Sequence, residues 1–363
     1  MADAKYDVAV IGGGVAGLSA AAFISEHAQT LVLERESQPA YHSSGRSASV
    51  FIEGYENATV AGLTKASGPF FRDPPEGFSD TPLLVPRGGL TVARPGEEHK
   101  LAKYLAAWQP LCPELIPADK EQTLAHSTIL NPDYVAGGAW DPTWMSIDTH
   151  ALLLGYQRQL RLNGGRVATS AEVLDLTRSD GTWTVTTTKG AYQAEVLVNA
   201  AGSWAGALGA RLSLEKPLQP MRRTGIIVGA PEAVNTWPLV HTISGDLYYK
   251  PESPGLMICP ADETPSPPCD AQPDEMDIAI AIDRFQQYTR HPVDRPLHTW
   301  AGLRTFAPDR LPIVGFDDDA PGFFWLAGQG GFGVQTSPEM GRLVGAVVSG
   351  QEATPAAIDA NRF

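Results

Sequence analysis

The chain has 363 residues, 43% hydrophobic and 19% charged, enough for two lobes around a sizeable core and too few charges for disorder. Its formal net charge of −14 argues against nucleic acid or an anionic membrane surface as a partner, because phosphate binding needs clustered Lys and Arg. Cys112, Cys259 and Cys269 form no CxxC and have no His at ligand spacing, so neither a metal site nor a disulfide framework is expected; a Cys259–Cys269 pair stays open.

In chain order, residues 6–11 are β-rich, 15–26 Ala-rich and helical, and 30–33 apolar and β-branched. The apolar stretch 8–24 carries Gly12, Gly13, Gly14 and Gly17 and lacks the basic start and cleavage site of a signal peptide. No segment reads as a membrane span, so a cytoplasmic protein is expected, with loose attachment to a membrane electron acceptor left open. Asp148 N-caps a helix to about Asn163, with Leu152, Leu153, Tyr156 and Leu160 on one side. Strands follow at 166–169, 172–176, 183–187 and 195–199, the last ending in Ala200-Ala201-Gly202. Residues 82–144 and 217–300 are broken by Pro and read as short strands and loops, as at 239–243 and 247–250. The Pro- and acid-rich run 251–277 reads as a surface excursion. Apolar strands return at 311–314 and 323–327, before a helix from about Pro338 to Ser349. The expected architecture is α/β with two lobes. A Rossmann-like dinucleotide domain takes residues 1–81, 145–216 and 301–363, and a discontinuous mixed or antiparallel-sheet substrate domain takes 82–144 and 217–300.

The strongest motif is Gly12-Gly-Gly14-Val-Ala-Gly17 between a strand and a helix, with Glu34 at the end of the next strand. Gly12 permits the tight turn, Gly14 the approach of a pyrophosphate, and Gly17 close packing of helix on strand. Val15 and Ala16 open the helix, whose free N–H groups and dipole favour phosphate. Glu34 suits two ribose hydroxyls and disfavours a 2′-phosphate. Arg35 follows it, and then His42-Ser43-Ser44-Gly45-Arg46-Ser47-Ala48, small and hydroxyl-rich, suited to wrapping a second part of a large cofactor. Ala200, Ala201 and Gly202 let backbone pass close to a flat ligand, and the turn Gly328-Gln-Gly330-Gly331-Phe332-Gly333 offers N–H groups near the C-terminus. Small-residue turns spread over the whole chain suit FAD better than a nicotinamide cofactor.

The sequence resembles the D-amino acid oxidase family of FAD-dependent oxidoreductases, most of all its bacterial D-arginine dehydrogenase branch. The stretches that carry the resemblance are 10–17, 31–34, 41–48, 196–204, 221–223, 248–251, 300–306 and 328–337. The resemblance implies that Arg223 and Arg304 clamp a substrate carboxylate, with the Tyr248 hydroxyl donating to the same group. It implies that Tyr55 covers the entrance and that the Gly331 carbonyl accepts from the substrate amine. Ser47 and Ala48 would lie at the reactive edge of the flavin, Gln335, Thr336 and residues 328–332 along it, Trp204 in the cofactor site, and Val173 at the adenine side. Attachment is expected to be noncovalent, since no Cys or His stands where relatives anchor the flavin. Independently of the resemblance, an Arg fork matches a carboxylate, and Arg304 among Trp300, Leu303 and Phe306 is hard to place in solvent. Strand alternation sends only one of Arg222 and Arg223, and one of Tyr248 and Tyr249, into a cavity, and the sequence leaves both choices open.

The implied reaction is oxidation of a D-amino acid to an imino acid, hydrolysed to a 2-oxo acid and ammonia, with quinone or O2 as final acceptor. Where the D-arginine branch carries an acidic residue this chain has Gly89, and where it carries His and Tyr this chain has Val50 and Phe51. The side-chain pocket, with His241 a further candidate, is therefore expected to favour neutral, apolar or aromatic side chains. The alternatives are another small amine such as glycine, sarcosine or D-proline, an L-2-hydroxy acid, or a flavoprotein whose FAD serves a binding module.

Overall fold

The computed structural model describes residues 4–231 and 234–363. Its first large sheet has eight strands, in the order Val173–Ser179, Thr182–Thr187, Gly190–Asn199, Ala4–Ile11, Thr30–Leu33 and Arg166–Ala168, with Phe323–Ala327 and Ile313–Phe316 branching from Gly190–Asn199. The central pairs are parallel, and such strands are buried on both faces. Alternation divides their side chains. Val8, Val10, Val198 and Phe324 pack under the helices Val15–Ile24 and Gly333–Val348, while Ala9, Ile11, Leu197 and Phe323 face a second apolar layer. The mixed α/β architecture expected from the sequence is the one observed.

The second large sheet has nine strands, mostly antiparallel, dominated by the long pair Gln219–Val228 and Pro296–Phe306. Its other members include Tyr248–Glu252, Gly255–Cys259, Leu239–Thr242 and Gly89–Ala93. One face is covered by the helix Glu275–Tyr288 through Ala281, Phe285 and Tyr288. A three-stranded sheet of Val50–Phe51, Met145–Ile147 and Leu84–Pro86 completes the framework. Strand Pro296–Phe306 runs unbroken through position 301, so the chain passes between the expected lobes within one element.

Several local readings change. The run 251–277 is not wholly a surface excursion, because Gly255–Cys259 is a buried strand whose apolar residues outweigh the neighbouring prolines. Ala58–Arg72, Glu98–Trp108, Lys120–His126 and Glu275–Tyr288 are helices the sequence reading missed. The C-terminal helix begins at Gly333 rather than Pro338. Proline has no N–H for the carbonyl one turn back, and the Ser337 hydroxyl supplies the missing donor to the Val334 carbonyl at 2.9 Å. All three cysteines are free thiols.

The glycine turn shows the tightest steric demand. Gly12 has φ 109°, and a Cβ on Gly17 would lie 1.9 Å from the Gly12 carbonyl oxygen. Gly17→Ala is therefore expected to destabilise the chain by about 1–3 kcal/mol, the usual cost of overpacking. A urea midpoint and flavin content equal to wild type would contradict this reading.

Candidate functional site

A continuous groove runs between the large sheets. Glu34, Arg35, Val173 and Trp204 wall one end, Gly14, Ser44, Ala200 and Gly202 the middle, and Ala48, Trp300, Gly328 and Gly331 the other end. Past Ala48, Arg304 and Gly331 the groove opens into a cavity of about 500 Å³.

The first end is built for close approach. A Cβ at Gly12 would stand 2.3 Å from the Ala200 carbonyl oxygen, so only glycine brings these turns together. The Gly13 N–H donates to Glu34 Oε2 and the Glu36 N–H to Oε1, each at 2.8 Å. Burial pushes the Glu34 carboxyl up, while these two bonds favour its anion. A carboxylate has about four acceptor sites, so the fixed Glu34 keeps capacity for ribose hydroxyls. The Val15 N–H donates to Ser44 Oγ at 2.9 Å, which ties the wrapping segment to the helix start. Ala16, Ser43, Ala201, Gly330 and Gly333 also line the groove.

Some expected cofactor residues act as braces. Arg35 stacks over Trp204 at 4.8 Å, and His42 packs on the same ring at 4.7 Å while pairing with Glu36 at 2.9 Å. Arg46 donates to the carbonyls of Ala271 and Ala301 and pairs with Asp270, so its charge is spent on the second sheet although its stem lines the groove. Ser43 Oγ donates to the Leu303 carbonyl at 2.6 Å, and Ser47 Oγ accepts from the Ser49 N–H at 3.1 Å. The Val173 carbonyl accepts from Arg211 at 3.2 Å. Gly17, Gly45, Phe332 and Thr336 do not line the groove. Gly17 lies under Gly12 and Gly45 under the Ala40 carbonyl. Phe332 is buried with Val60 and Phe306, and the Thr336 hydroxyl is turned back to the Phe332 carbonyl.

In the cavity, the pleat resolves both open pairs. Arg222 points to the helix side and pairs with Asp277 at 2.8 Å, whereas Arg223 lines the cavity. Tyr249 packs on Phe285 and bonds Ser127 at 3.0 Å, whereas Tyr248 lines the cavity. Arg223 is partly engaged, its Nε donating to the Asp262 carbonyl at 2.7 Å and its Nη2 to Glu263 at 2.9 Å. Glu263 also binds Arg310, which reaches Glu56 beside Tyr55. Arg304 differs: among the described residues it has no hydrogen-bond or ion-pair partner, and its guanidinium lies against Gly331. Burial pushes the Tyr248 phenol up, so it is a neutral hydroxyl beside that cation.

Val50, Tyr55, His241 and Gln335 line the cavity too. Gln335 spends its amide on the Ile52 N–H and the Thr64 hydroxyl. Gly89 and Phe51 do not line it. A Cβ at Gly89 would meet the Trp144 ring at 2.0 Å, so that ring stands between Gly89 and the cavity. Phe51 points into the core on Phe71 at 5.5 Å. The sequence reading missed Tyr104, Trp108 and Trp144, which form an aromatic wall. The periodic apolar positions Leu101, Tyr104, Leu105 and Trp108 were the available signal for that helix.

A glycine turn under a parallel sheet, a distal carboxylate and a groove leading to a cationic cavity define a dinucleotide-dependent oxidoreductase fold. The model of the DAO family, FAD-dependent oxidoreductases, matches residues 7–347, and the chain belongs to that family. Among the curated relatives, glycine oxidase of Geobacillus kaustophilus is 24% identical, aligned over 96% of this chain and 94% of its own length. Human mitochondrial dimethylglycine dehydrogenase is 25% identical over 68% of this chain; the match spans only 31% of that longer protein. The crystal structure of the Geobacillus kaustophilus glycine oxidase superposes with a TM-score of 0.88 at 22% identity over 99% of both chains. L-proline dehydrogenase from P. horikoshii superposes with a TM-score of 0.87 at 20% identity, covering 99% of this chain and 98% of that one. At these identities the structures establish the fold. FAD is the cofactor, and the groove fits it where Gly14, Ala200 and Gly202, without bulky side chains, leave the middle open. No helix among the described residues is long and apolar enough to cross a membrane.

Glu34→Ala is expected to weaken FAD binding to the apoprotein about 10–100-fold, the loss of a charged hydrogen bond. Titration by flavin fluorescence measures it, and an unchanged dissociation constant would remove Glu34 from the cofactor site.

Proposed function

We propose that this enzyme oxidises amino acids at the Cα–N bond, with D-amino acids bearing neutral or apolar side chains as substrates and 2-oxo acids and ammonia as final products. The observation that carries the proposal is Arg304, an internal guanidinium facing the cavity without an ion-pair partner among the described residues. An inward charge of this kind calls for a counter-ion, and a substrate carboxylate matches its planar fork.

In this reading Arg304 binds the carboxylate, Tyr248 donates its hydroxyl to it, and Arg223 adds the donor capacity that Asp262 and Glu263 leave free. The Gly331 carbonyl accepts from the amine, and Tyr55 closes the entrance. FAD in the groove supplies the two-electron acceptor for the Cα hydride, and the protein supplies orientation and charge. No cavity side chain is assigned as base: the amine loses its proton to solvent, and the cavity walls orient the substrate toward the groove.

The cavity supports a substrate with a side chain, since about 500 Å³ walled by Tyr104, Trp108 and Trp144 is far more than glycine fills. With no carboxylate counterpart beyond Glu263 and Glu56, both paired to arginines, a cationic side chain finds no free anion. The D-arginine branch preference is accordingly not proposed, and the relatives give it no support. The names of those relatives favour a second reading, oxidation of glycine or an N-methylated glycine.

Arg304→Met should lower kcat/KM about 10²–10³-fold with flavin content retained, and Arg223→Met should cost less because Glu263 already shares that charge. Equal losses would sink the assignment of Arg304 as the principal carboxylate site. Around Arg304, burial pushes Tyr248 and Cys259 up and His241 down to about 4. The rate of flavin reduction should therefore rise with pH between about 6 and 10, following the substrate amine. A flat profile would rule this mechanism out.

A further inference from the structure

His241 sits on strand Leu239–Thr242 directly across from Tyr248 and lines the cavity. Among the described residues it makes no hydrogen bond, and its Nδ1 is buried without a partner there. Several neighbouring polar groups are already committed. The Trp144 indole N–H donates to Asp141 at 3.1 Å, and Gln335 is engaged at both ends. Burial keeps the imidazole neutral, so one ring nitrogen carries hydrogen. A buried donor without an acceptor is rarer than a buried acceptor without a donor, which favours hydrogen on Nε2, the nitrogen not sealed away.

We propose that His241 reads the side chain of the substrate: Nε2–H donates to an uncharged acceptor, a phenol or carboxamide oxygen, at the end of a side chain lying against the aromatic wall. This rests on the amino-acid oxidation proposed above and narrows it to amino acids whose side chain carries such an oxygen. A protonated side chain offers no acceptor here, and glycine does not reach this wall. An apolar ring fits the space but leaves the imidazole unpaired, the situation that lets a hydrogen-bonding site reject an analogue.

The test uses FAD-loaded enzyme and anaerobic flavin reduction by tyrosine and phenylalanine, each as both enantiomers. With the enantiomer that reduces the flavin, the wild type is expected to favour tyrosine over phenylalanine about five- to tenfold in kcat/KM, one net hydrogen bond. His241→Phe should bring that ratio to about 1, and His241→Gln, which keeps an N–H donor, should retain part of it. A wild-type ratio near 1, or an undiminished ratio in His241→Phe, overturns the role of His241. If His241→Phe does not fold, the wild-type ratio and His241→Gln decide between the same outcomes. Failure of every amino acid to bleach the wild-type flavin would instead overturn the proposed reaction.

Discussion

The site depends on the two-residue period of the second sheet. Along Gln219–Val228 the pleat gives Arg222, Ile226 and Val228 to the helix side and Arg223, Gly225 and Ile227 to the groove. Tyr249, Leu256 and Ile258 are packed by helix Glu275–Tyr288, which leaves Tyr248, Met257 and Cys259 on the opposite face. A slip of one residue would bury the cationic face under the helix and expose the apolar one. Burying Ile226, Val228, Tyr249 and Ile258 thus fixes the register that aims Arg223 and Tyr248. The core and the cavity are two faces of one constraint.

That sheet is stitched to the cofactor turns rather than merely placed beside them. Ser43 and Arg46 donate to carbonyls of Leu303 and Ala301, and the Trp300 indole N–H donates back to the Arg46 carbonyl at 3.2 Å. Strand Pro296–Phe306 therefore holds the wrapping segment with its backbone while it presents Arg304 to the cavity. The proposed carboxylate site and the expected flavin edge share a single rigid element, which favours the precise placement that the proposed hydride transfer requires.

What the sequence made legible follows from how local each signal is. Gly12–Gly17 with Glu34 is a contiguous code, and the strand–turn–helix it implied is present. Gly328–Gly333 was readable for the same reason. Cavity walls are not local. Gly89 and Phe51 were chosen by correspondence along the chain, and the Trp144 ring from the turn before strand Met145–Ile147, together with the packing of Phe51 on Phe71, removed both from the cavity. Tyr104 and Trp108 stand on a helix with no fully buried residue, which reads as surface until the fold brings a cavity beneath it. The Arg222/Arg223 choice was undecidable because alternation fixes which residues share a face, not which face is the core.

Electrostatics complete the picture. A chain of net charge −14 repels an anionic substrate at long range, so attraction must be built locally. Three arginines reach the cavity, but Glu263 and Glu56 link Arg223 and Arg310 into a neutralised chain. With Tyr248 and His241 uncharged, the three arginines and two glutamates leave one net positive charge, centred on Arg304. One carboxylate cancels it, and a second charged group of either sign would enter without compensation in a partly desolvated space. The same arrangement that attracts the proposed substrate by its carboxylate therefore selects a neutral side chain, before any contact with the aromatic wall is made.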